Sequence, residues 1–579
     1  MKPTLLLAMV FALTAVGANA QDNEPPKTPP ADQKAAQQPQ TAPKPDSPAA
    51  AVREMSPDQK AFQDANKITD PEKKIEAMEK FKKDFPTSPM VASASSNILS
   101  TLVQKLPRQE SRIRAAAQTM YDGAGEKDKG RVAGQIASTL LEGEMLLEDA
   151  QKYAEINLLS ADQAQFFKDQ KAGAERRKQT PPTDDELMKR FQTSRVPRLT
   201  LAGRVEAELG HTEAAKHLLD EAIGISPDNA AAAAALGDLA AKAGDNDKAL
   251  DYLITARLGG RASAKAIEQM NSVYRKLHQG SLDGLDAKLD SEYHKRFPNP
   301  VEVEEYKAPA ERSDRVVLAE LFTGSGCPPC VGADLAFDAA MERYNRKDVV
   351  VVAYHQHIPQ PDPMTNLDTQ ARRKYYDVTG VPSYAIDGKM VDHHGAGREG
   401  TKEVYGYIEK PIESELTTVA EAKVKVQAAV SGNTVNVKAD VDGLKSDSQD
   451  LKLHVLLLEK EIRYSGENGI RFHPMVVRAM GGTDDDGFSL KPGEAASFSQ
   501  NWDLDKVSAG LKAHLDEYEA GGHRGNPFTF IEKKYQIDRG DLAVVVFVQD
   551  AKTKHVLQTA YVDLGTQSEA RTDSSKGDK

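Results

Sequence analysis

Cys327 and Cys330 are the only two cysteines in a chain of 579 residues. An apolar, strand-like segment at Val316–Thr323 leads into a glycine-containing turn, then into the C-x-x-C pair, then into a helical pattern. This order is typical of a dithiol/disulfide site at a helix N-terminus. A disulfide ring this small constrains the unfolded chain little, so it adds little to the stability of so long a protein. The pair therefore indicates redox chemistry more than a structural crosslink.

Residues 1–20 have the pattern of a cleavable signal peptide. Lys2 provides a positive start, Leu5–Val16 is almost continuously apolar, and Ala18-Asn19-Ala20 is an A-x-A cleavage site before Gln21. The apolar run is short for a membrane span, and no other run approaches ~18 residues. We therefore expect a periplasmic or secreted protein without an integral membrane span, and an uncleaved anchor is the alternative. Because Gln21 is not a cysteine, no lipid-modified N-terminal cysteine is expected. Because the compartments outside the cytosol are oxidising, a disulfide between Cys327 and Cys330 would persist after export.

The composition is that of an ordinary globular protein, with 28% charged and 39% hydrophobic residues. The length predicts about three or four domains. The formal net charge is −12, and no basic patch interleaved with aromatic residues is present, so we expect no nucleic-acid partner. No glycine-rich phosphate loop, Ser/His/Asp order or metal triad stands out, so no cofactor is predicted.

Two segments lack any apolar period. Residues 21–54 are rich in proline, glutamine, alanine and lysine, which predicts a disordered linker. Residues 566–579 are rich in serine, aspartate and lysine, which predicts a disordered tail.

Residues 55–300 have helical periodicity and contain a 34-residue repeat. In the repeat, small residues would let paired helices approach while a leucine fills the seam between them: Gly203, Ala215, Leu219 and Ala222 recur as Gly237, Ala249, Leu253 and Ala256. This spacing resembles tetratricopeptide repeats. The resemblance implies a concave groove that binds a protein partner, and a helical spacer is the alternative. Two clear copies are few, so neighbouring irregular helices are expected to complete the stack.

The periodicity changes twice after residue 314. Over 314–417 the pattern predicts a strand, a helix after the cysteines, a second strand at 349–354, a hairpin at 384–391 and a closing helix at 401–416. Over 418–565 alternating segments joined by turns, without helical crossovers, predict a β-sandwich. The fold class is therefore multidomain α+β, with a helical repeat region, an α/β domain and a C-terminal β-sandwich.

The segment 316–391 resembles the thioredoxin superfamily, because the C-x-x-C helix is followed by a strand and by Gly380-Val-Pro-Ser383 before a hairpin. The resemblance implies that Pro382 is a cis-proline facing the dithiol. It also implies that Cys327 is the exposed nucleophile and Cys330 the buried resolving thiol. The positive end of a helix would stabilise a Cys327 thiolate. The backbone at Val381 would pair with the substrate as an added strand.

The run Glu320-Leu-Phe-Thr-Gly-Ser-Gly-Cys327 more specifically resembles secreted thioredoxin-like proteins with an E-L-F-T-x-x-G-C motif. The run 464–478 resembles the β-domain of an outer-membrane-associated group of such proteins. The chain departs from the family at Gly326, where redox-active members usually have tryptophan. Thioredoxin has a buried aspartate where this chain has Leu321, and strand alternation sends the adjacent Glu320 to the other face.

Histidines and charged residues offer further candidates. His355 and His357 end the second predicted strand, where they and the two cysteines could bind Cu(I) or Zn(II); polar strand-end histidines are the alternative. Glu467, His473 and Arg478 suggest a site in the β-domain, and a surface loop explains them equally well.

The sequence thus predicts an exported thiol–disulfide oxidoreductase. Its catalytic residues would be Cys327, Cys330 and Pro382, with Val381 binding substrate. Its partners would be protein thiols or disulfides, together with a protein held by the helical repeats. The alternative is a non-enzymatic envelope scaffold or assembly protein whose thioredoxin fold is redox-inert.

Overall fold

The computed structural model describes residues 55–310, 312–393, 395–482, 487–524 and 527–565. The predicted signal peptide, the linker that ends at residue 54 and the tail from residue 566 lie outside these ranges. The described residues from Pro57 onward form one compact unit. In this part of the chain, no helix is long and apolar enough to cross a membrane.

Residues 57–296 are helical, as predicted. The helices are α1 (Pro57–Asn66), α2 (Pro71–Asp84), α3 (Val91–Lys105), α4 (Glu110–Asp122), α5 (Lys129–Glu142), α6 (Leu147–Leu159), α7 (Gln163–Arg176), α8 (Asp184–Glu208), α9 (Thr212–Ile225), α10 (Ala230–Lys242), α11 (Asn246–Leu258), α12 (Ala264–Leu277) and α13 (Leu285–Arg296). Short polar side chains start several of them, because an N-cap oxygen accepts a free N–H of the first turn. At α8, Thr183 and Glu186 form a reciprocal capping box.

The 34-residue repeat is visible as two helix pairs with the same contact at their seams. A Cβ placed on Gly203 would lie 2.7 Å from Leu219 Cγ, and a Cβ placed on Gly237 would lie 2.7 Å from Leu253 Cγ. Both leucines are buried. Pairs α8/α9 and α10/α11 therefore approach closely because glycine leaves the space that the leucine fills.

The central α/β part has the predicted order of strands and helices, with one additional helix. Its elements are β1 (Val317–Thr323), α14 (Cys330–Arg343), β2 (Val349–His355), α15 (Leu367–Tyr375), β3 (Ser383–Ile386), β4 (Lys389–Met390) and α16 (Thr401–Leu416). Strand β1 lies between β2, which is parallel to it, and β3, which is antiparallel. Every residue of β1 and β2 is buried, as expected for strands covered on both faces. Helix α15 is absent from the sequence prediction.

The C-terminal part has two sheets. Its elements are β5 (Lys423–Ser431), β6 (Thr434–Asp442), β7 (Leu451–Arg463), β8 (Phe472–Gly481), β9 (Phe488–Ser489), β10 (Ala496–Asp503), α17 (Leu504–Gly521), β11 (Leu542–Asp550) and β12 (Val556–Asp563). Strands β10, β6 and β5 form a small sheet whose apolar face packs on β7 and β11. This is the predicted β-sandwich.

The larger C-terminal sheet continues into the α/β part. In the described residues, nine strands form one sheet in the order β12-β11-β7-β8-β2-β1-β3-β4, with β9 beside β7. The two parts join where Ala353 of β2 pairs with Val476 of β8. The boundary predicted near residue 417 stays a prediction, and the sheet crosses it.

Helix α17, which connects β10 to β11, corrects the expectation that residues 418–565 have no helical crossovers. Its apolar residues Leu504, Val507, Leu511 and Leu515 have helical spacing. The Asp503 side chain caps the helix by accepting two backbone N–H groups.

The close packing of Gly203 against Leu219, between α8 and α9, can be tested by two alanine substitutions. We expect Gly203→Ala to lower the free energy of unfolding of the helical region by about 1–3 kcal/mol, because its methyl group would overlap the Leu219 side chain. Gly224→Ala in α9 is the matched control, since a Cβ there meets nothing within 4 Å. It should raise stability by about 0.4–1 kcal/mol. Chemical unfolding followed by far-ultraviolet circular dichroism measures the free energy of unfolding of both variants. Equal changes in the two variants would contradict close packing between Gly203 and Leu219.

Candidate functional site

The two cysteines lie in the turn that leads into α14. They form a disulfide with an S–S distance of 2.08 Å. The Cys327 N–H donates to the Gly324 carbonyl at 3.0 Å, and the Cys330 N–H donates to the Cys327 carbonyl at 3.1 Å. Cys330 is the first residue of α14. The sulfur of Cys327 therefore sits just ahead of the positive end of a helix.

The predicted cis-proline lies beside the disulfide. The Val381–Pro382 bond is cis, as the sequence predicted. The carbonyl oxygen of Val381 is 3.6 Å from the Cys327 sulfur. Gly395 completes this contact, since a Cβ there would lie 2.2 Å from Pro382 Cγ. The structure thus brings together the four predicted site residues, Cys327, Cys330, Val381 and Pro382.

The buried carboxylate of Asp362 fixes the dithiol turn. It accepts the backbone N–H groups of Ser325 at 2.6 Å and Met364 at 2.8 Å, and it faces His355 Nδ1 at 2.8 Å. Burial alone would raise the pKa of Asp362, but His355 and the two backbone donors hold this pKa well below its usual range. An ionised carboxylate beneath the turn is the result.

His355 and His357, the possible metal ligands, both contact Asp362 instead. His357 Nδ1 accepts the Asp362 backbone N–H at 2.9 Å. Burial lowers the pKa of His357 to about 4, so its ring is neutral at neutral pH and can accept this bond. Among the described residues, no group of three or more His, Cys, Asp or Glu has a geometry that could hold a metal ion.

Both cysteines are buried, which corrects the expectation of an exposed Cys327. Cys327 is 1% exposed and Cys330 is fully buried. The segment Tyr464–Ile470, here named the covering segment, lies on the dithiol turn. The Asn468 N–H donates to the Ser325 carbonyl at 2.9 Å, and its side chain donates to the carbonyls of Gly324 and Cys327, both at 3.4 Å.

The helical repeats hold the covering segment from its other side. Arg257 of α11 donates to the Ser465 carbonyl at 2.9 Å. A Cβ on Gly260 would lie 2.5 Å from the Glu467 carbonyl oxygen, so only glycine allows this approach. Arg471, which follows the segment, donates to Asp290 of α13 at 2.6 Å. The covering segment is thus clamped between the dithiol and the repeat region.

A surface loop is therefore the wrong interpretation of the charged residues near 470. Glu467 is half-buried, and its carboxylate lies near Gly326; burial raises its pKa. His473 is buried and faces the Tyr464 carbonyl at 2.9 Å. Arg478 is fully buried and pairs with Glu459 at 2.9 Å.

The absence of tryptophan before Cys327 has a steric cause. A Cβ on Gly326 would lie 2.7 Å from Gln360 Cβ and 3.4 Å from Glu467 Oε2. Two other chain segments thus occupy the space above residue 326, and a large side chain does not fit there.

An acidic residue that the sequence analysis missed lies one helical turn after Cys330. Asp334 accepts the Thr323 hydroxyl at 2.7 Å. Burial raises the pKa of Asp334 to about 7. Residues four apart on a helix are neighbours, with Cβ atoms about 6 Å apart. The missed signal is an acidic residue at this spacing from Cys330, in the first turns of the helix.

Glu320 of β1 points away from the cysteines, as the alternation of side chains along the strand predicted. Glu320 lies on the opposite face of β1, where it pairs with Arg372 at 2.7 Å and accepts the hydroxyls of Tyr354 and Tyr376. It is fully buried there. Asp334 shares α14 with Cys330, whereas Glu320 is held by Arg372 on the opposite face of β1.

Weakening the covering segment should expose Cys327. Asn468→Ala removes two side-chain hydrogen bonds of 3.4 Å, which at this length together contribute about 1 kcal/mol, so we expect alkylation of Cys327 in the reduced protein to accelerate roughly threefold to tenfold. Asn501→Ala, at an exposed position on β10, is the control and should leave the rate unchanged. Iodoacetamide labelling followed by mass spectrometry measures both rates. Equal rates in all three proteins would show that the segment does not limit access.

No protein-family model matches the chain, and no curated protein matches it significantly. Solved structures that resemble it include HBP35 of Porphyromonas gingivalis, which is 15% identical with a TM-score of 0.32 and covers 44% of this chain and 79% of that one. Another is PilF of Pseudomonas aeruginosa, 13% identical with a TM-score of 0.26, covering 42% of this chain and 95% of that one. Neither likeness is close enough to support an argument about activity or partners.

Proposed function

We propose that the protein is an exported thiol–disulfide oxidoreductase of the secreted thioredoxin-like type. The observation that carries the proposal is the Cys327–Cys330 disulfide, ahead of a helix N-terminus and 3.6 Å from the carbonyl of Val381. Its substrates are protein thiols or disulfides. Export rests on the pattern of residues 1–20.

The exchange needs no reactant besides a thiol or disulfide partner. In the reduced protein, the Cys327 thiolate attacks a substrate disulfide, and a mixed disulfide forms while one substrate sulfur leaves as a thiolate. Cys330 then attacks the Cys327 sulfur, the bond to the substrate breaks, and the second substrate sulfur leaves. Two electrons pass from the dithiol to the substrate. A substrate dithiol reverses the same steps and leaves the protein reduced.

Asp334 is the proton acceptor in the second step. Cys330 must lose its proton to attack, and a carboxylate with a pKa of about 7 is half-ionised near neutral pH. The proton passes from Cys330 to Asp334 and then to solvent or to the leaving substrate thiolate. A general base is most effective when its pKa is near the working pH.

The remaining predicted residues bind the substrate or a partner protein. The backbone at Val381 pairs with the substrate chain, which then lies across the disulfide with Pro382 beneath it. The helical repeats bind a protein partner. The covering segment must move before any substrate reaches Cys327.

The second candidate is a redox-inert scaffold, and the burial of both cysteines favours it. The two functions predict different outcomes on reduction. We expect the wild type to exchange with a disulfide peptide, Cys327→Ser to lose all exchange, and Cys330→Ser to accumulate the mixed disulfide. Because the ring is so small, reduction should cost stability only at the low end of the usual ~0–5 kcal/mol.

A peptide-exchange assay, together with urea unfolding of the oxidised and reduced protein, checks this. The α/β part must be followed by a local probe, because parts of a large chain can unfold separately. An inactive wild type whose urea midpoint falls strongly on reduction would establish the scaffold function.

The proposed role of Asp334 makes the rate of the resolving step depend on pH. The resolving step in the wild type should accelerate as pH rises through about 7, where Asp334 loses its proton. We expect Asp334→Asn to lose that inflection and to slow resolution about tenfold or more near neutral pH. Stopped-flow resolution of a preformed mixed disulfide measures the profile.

Asp334 also makes stability fall with pH, between the ordinary aspartate pKa of 3.8 and the folded pKa of about 7. An acid whose pKa is raised by folding contributes stability that is present at low pH and lost as pH rises through the folded pKa. Asp334→Asn should therefore gain stability relative to the wild type above about pH 7. A neutral inflection retained by this variant would remove Asp334 from the mechanism.

A further inference from the structure

The Cys327 sulfur faces a hydrogen-bond acceptor. The carbonyl oxygen of Val381 lies 3.6 Å from Sγ. After reduction, a thiol can donate its proton to this oxygen, whereas a thiolate has nothing to donate and is repelled by the carbonyl dipole. A hydrogen bond made by the neutral form of an acid disfavours the charged form. The contact with Val381 therefore favours a protonated sulfur.

The backbone donors at the start of α14 are already used. Residues 328 and 329 are prolines, which have no N–H group. The next three N–H groups donate to backbone carbonyls: Cys330 to Cys327 at 3.1 Å, Val331 to Pro328 at 3.4 Å and Gly332 to Ala396 at 2.8 Å. A thiolate on Cys327 would thus feel the partial positive charge of the helix end but would gain no direct donor from these residues.

The covering segment brings a carboxylate to the same turn. A Cβ on Gly326 would lie 3.4 Å from Glu467 Oε2, so this oxygen sits over the residue that precedes Cys327. Burial raises the pKa of Glu467, Arg261 lowers it and Asp362 raises it further. Arg261 is exposed, and in the described part of the chain the two side chains form no direct ion pair. Water therefore screens the attraction of Arg261 for Glu467.

The charges around the dithiol turn leave its sulfur without a cation. The charged and titratable side chains come from several elements: Glu467 with Arg261 on one side, Asp362 with His355 on the other, and Asp334 on α14. Among these residues, each base faces a carboxylate and not the sulfur. A free thiol ionises near pH 8.5, about four units above an ordinary glutamate, so Glu467 is already charged when Cys327 titrates. A thiolate would add a like charge beside it.

We propose that Glu467 holds the Cys327 sulfur in its protonated, less reactive form while the covering segment is closed. This rests on the proposed function. Glu467 and Asn468 are neighbours in that segment, so a movement that breaks the Asn468 contacts with the turn also withdraws the carboxylate. The sulfur then becomes accessible and loses its proton to solvent more readily in the same movement. The reduced dithiol is thereby protected from small oxidants until a substrate protein displaces the segment.

The test measures the ionisation of Cys327 without any exchange reaction. The full chain carries Cys330→Ser, so that Cys327 is the only thiol. Its alkylation by iodoacetamide is followed as a function of pH, since the thiolate is the reacting form. The pH of half-maximal rate reports how readily the sulfur ionises, and the maximal rate at high pH reports how often the segment opens. Circular dichroism checks that each variant is folded over the pH range.

We expect Glu467→Gln to lower the pH of half-maximal alkylation by about one unit, because it removes a like charge while keeping the shape of the side chain. Glu467→Asp keeps the charge and should restore most of the parent value. Asn468→Ala should raise the maximal rate and leave the half-maximal pH near that of the parent. Glu494→Gln removes a carboxylate from an exposed position of the C-terminal part and should match the parent in both quantities.

An unchanged half-maximal pH in Glu467→Gln would overturn the proposal even if the maximal rate rose, because Glu467 would then act on access alone. An equal shift in Glu494→Gln would also overturn it, since the loss of any carboxylate would then suffice. The result does not depend on turnover. A protein that fails the peptide-exchange assay can still show the shift, and a protein that exchanges can lack it.

Discussion

The dithiol turn depends on one buried anion. Asp362 reaches the turn through the Ser325 N–H, while the carbonyl of the same residue accepts the Asn468 N–H. The backbone of Ser325 is thus hydrogen-bonded to Asp362 of the α/β part and to Asn468 of the C-terminal part. A buried backbone donor left without its acceptor costs about 1–3 kcal/mol, so losing the carboxylate would destabilise the turn directly. His355, which faces the same carboxylate, would also lose its partner.

Close approach of distant segments explains the glycines around the cysteines. Gly324 packs on the carbonyl of Ile358, and Gly326 packs on Gln360. Gly260 of the repeats packs on Glu467 of the covering segment. These glycines let three parts of the chain meet at the dithiol turn, and a large side chain at residue 326 has no room there. The site is accordingly built by the whole folded unit and not by the α/β part alone.

Local patterns in the sequence predict the elements that depend on local contacts. The strands β1 and β2 follow from apolar runs, and the helix seams from Gly203 with Leu219. The cis bond before Pro382 was predicted only through the resemblance to thioredoxins. The covering segment could not be predicted in this way, because Asn468 meets carbonyls 144 and 141 positions earlier in the chain. The proposed role of Asp334 was not predicted, because it depends on a pKa raised by the folded surroundings, which the helical pattern does not show. Helix α17 was missed although its apolar spacing is regular.

The shared sheet has a consequence for work with parts of the chain. A fragment limited to residues 314–417 would lack β8, and β2 would become an edge strand. Every residue of β2 is buried in the intact protein. A long, flat, apolar edge with unpaired backbone groups invites strand addition by another copy. Such a fragment would be prone to aggregation even if its own fold were intact, so the C-terminal strands act as a built-in protective partner for the α/β part.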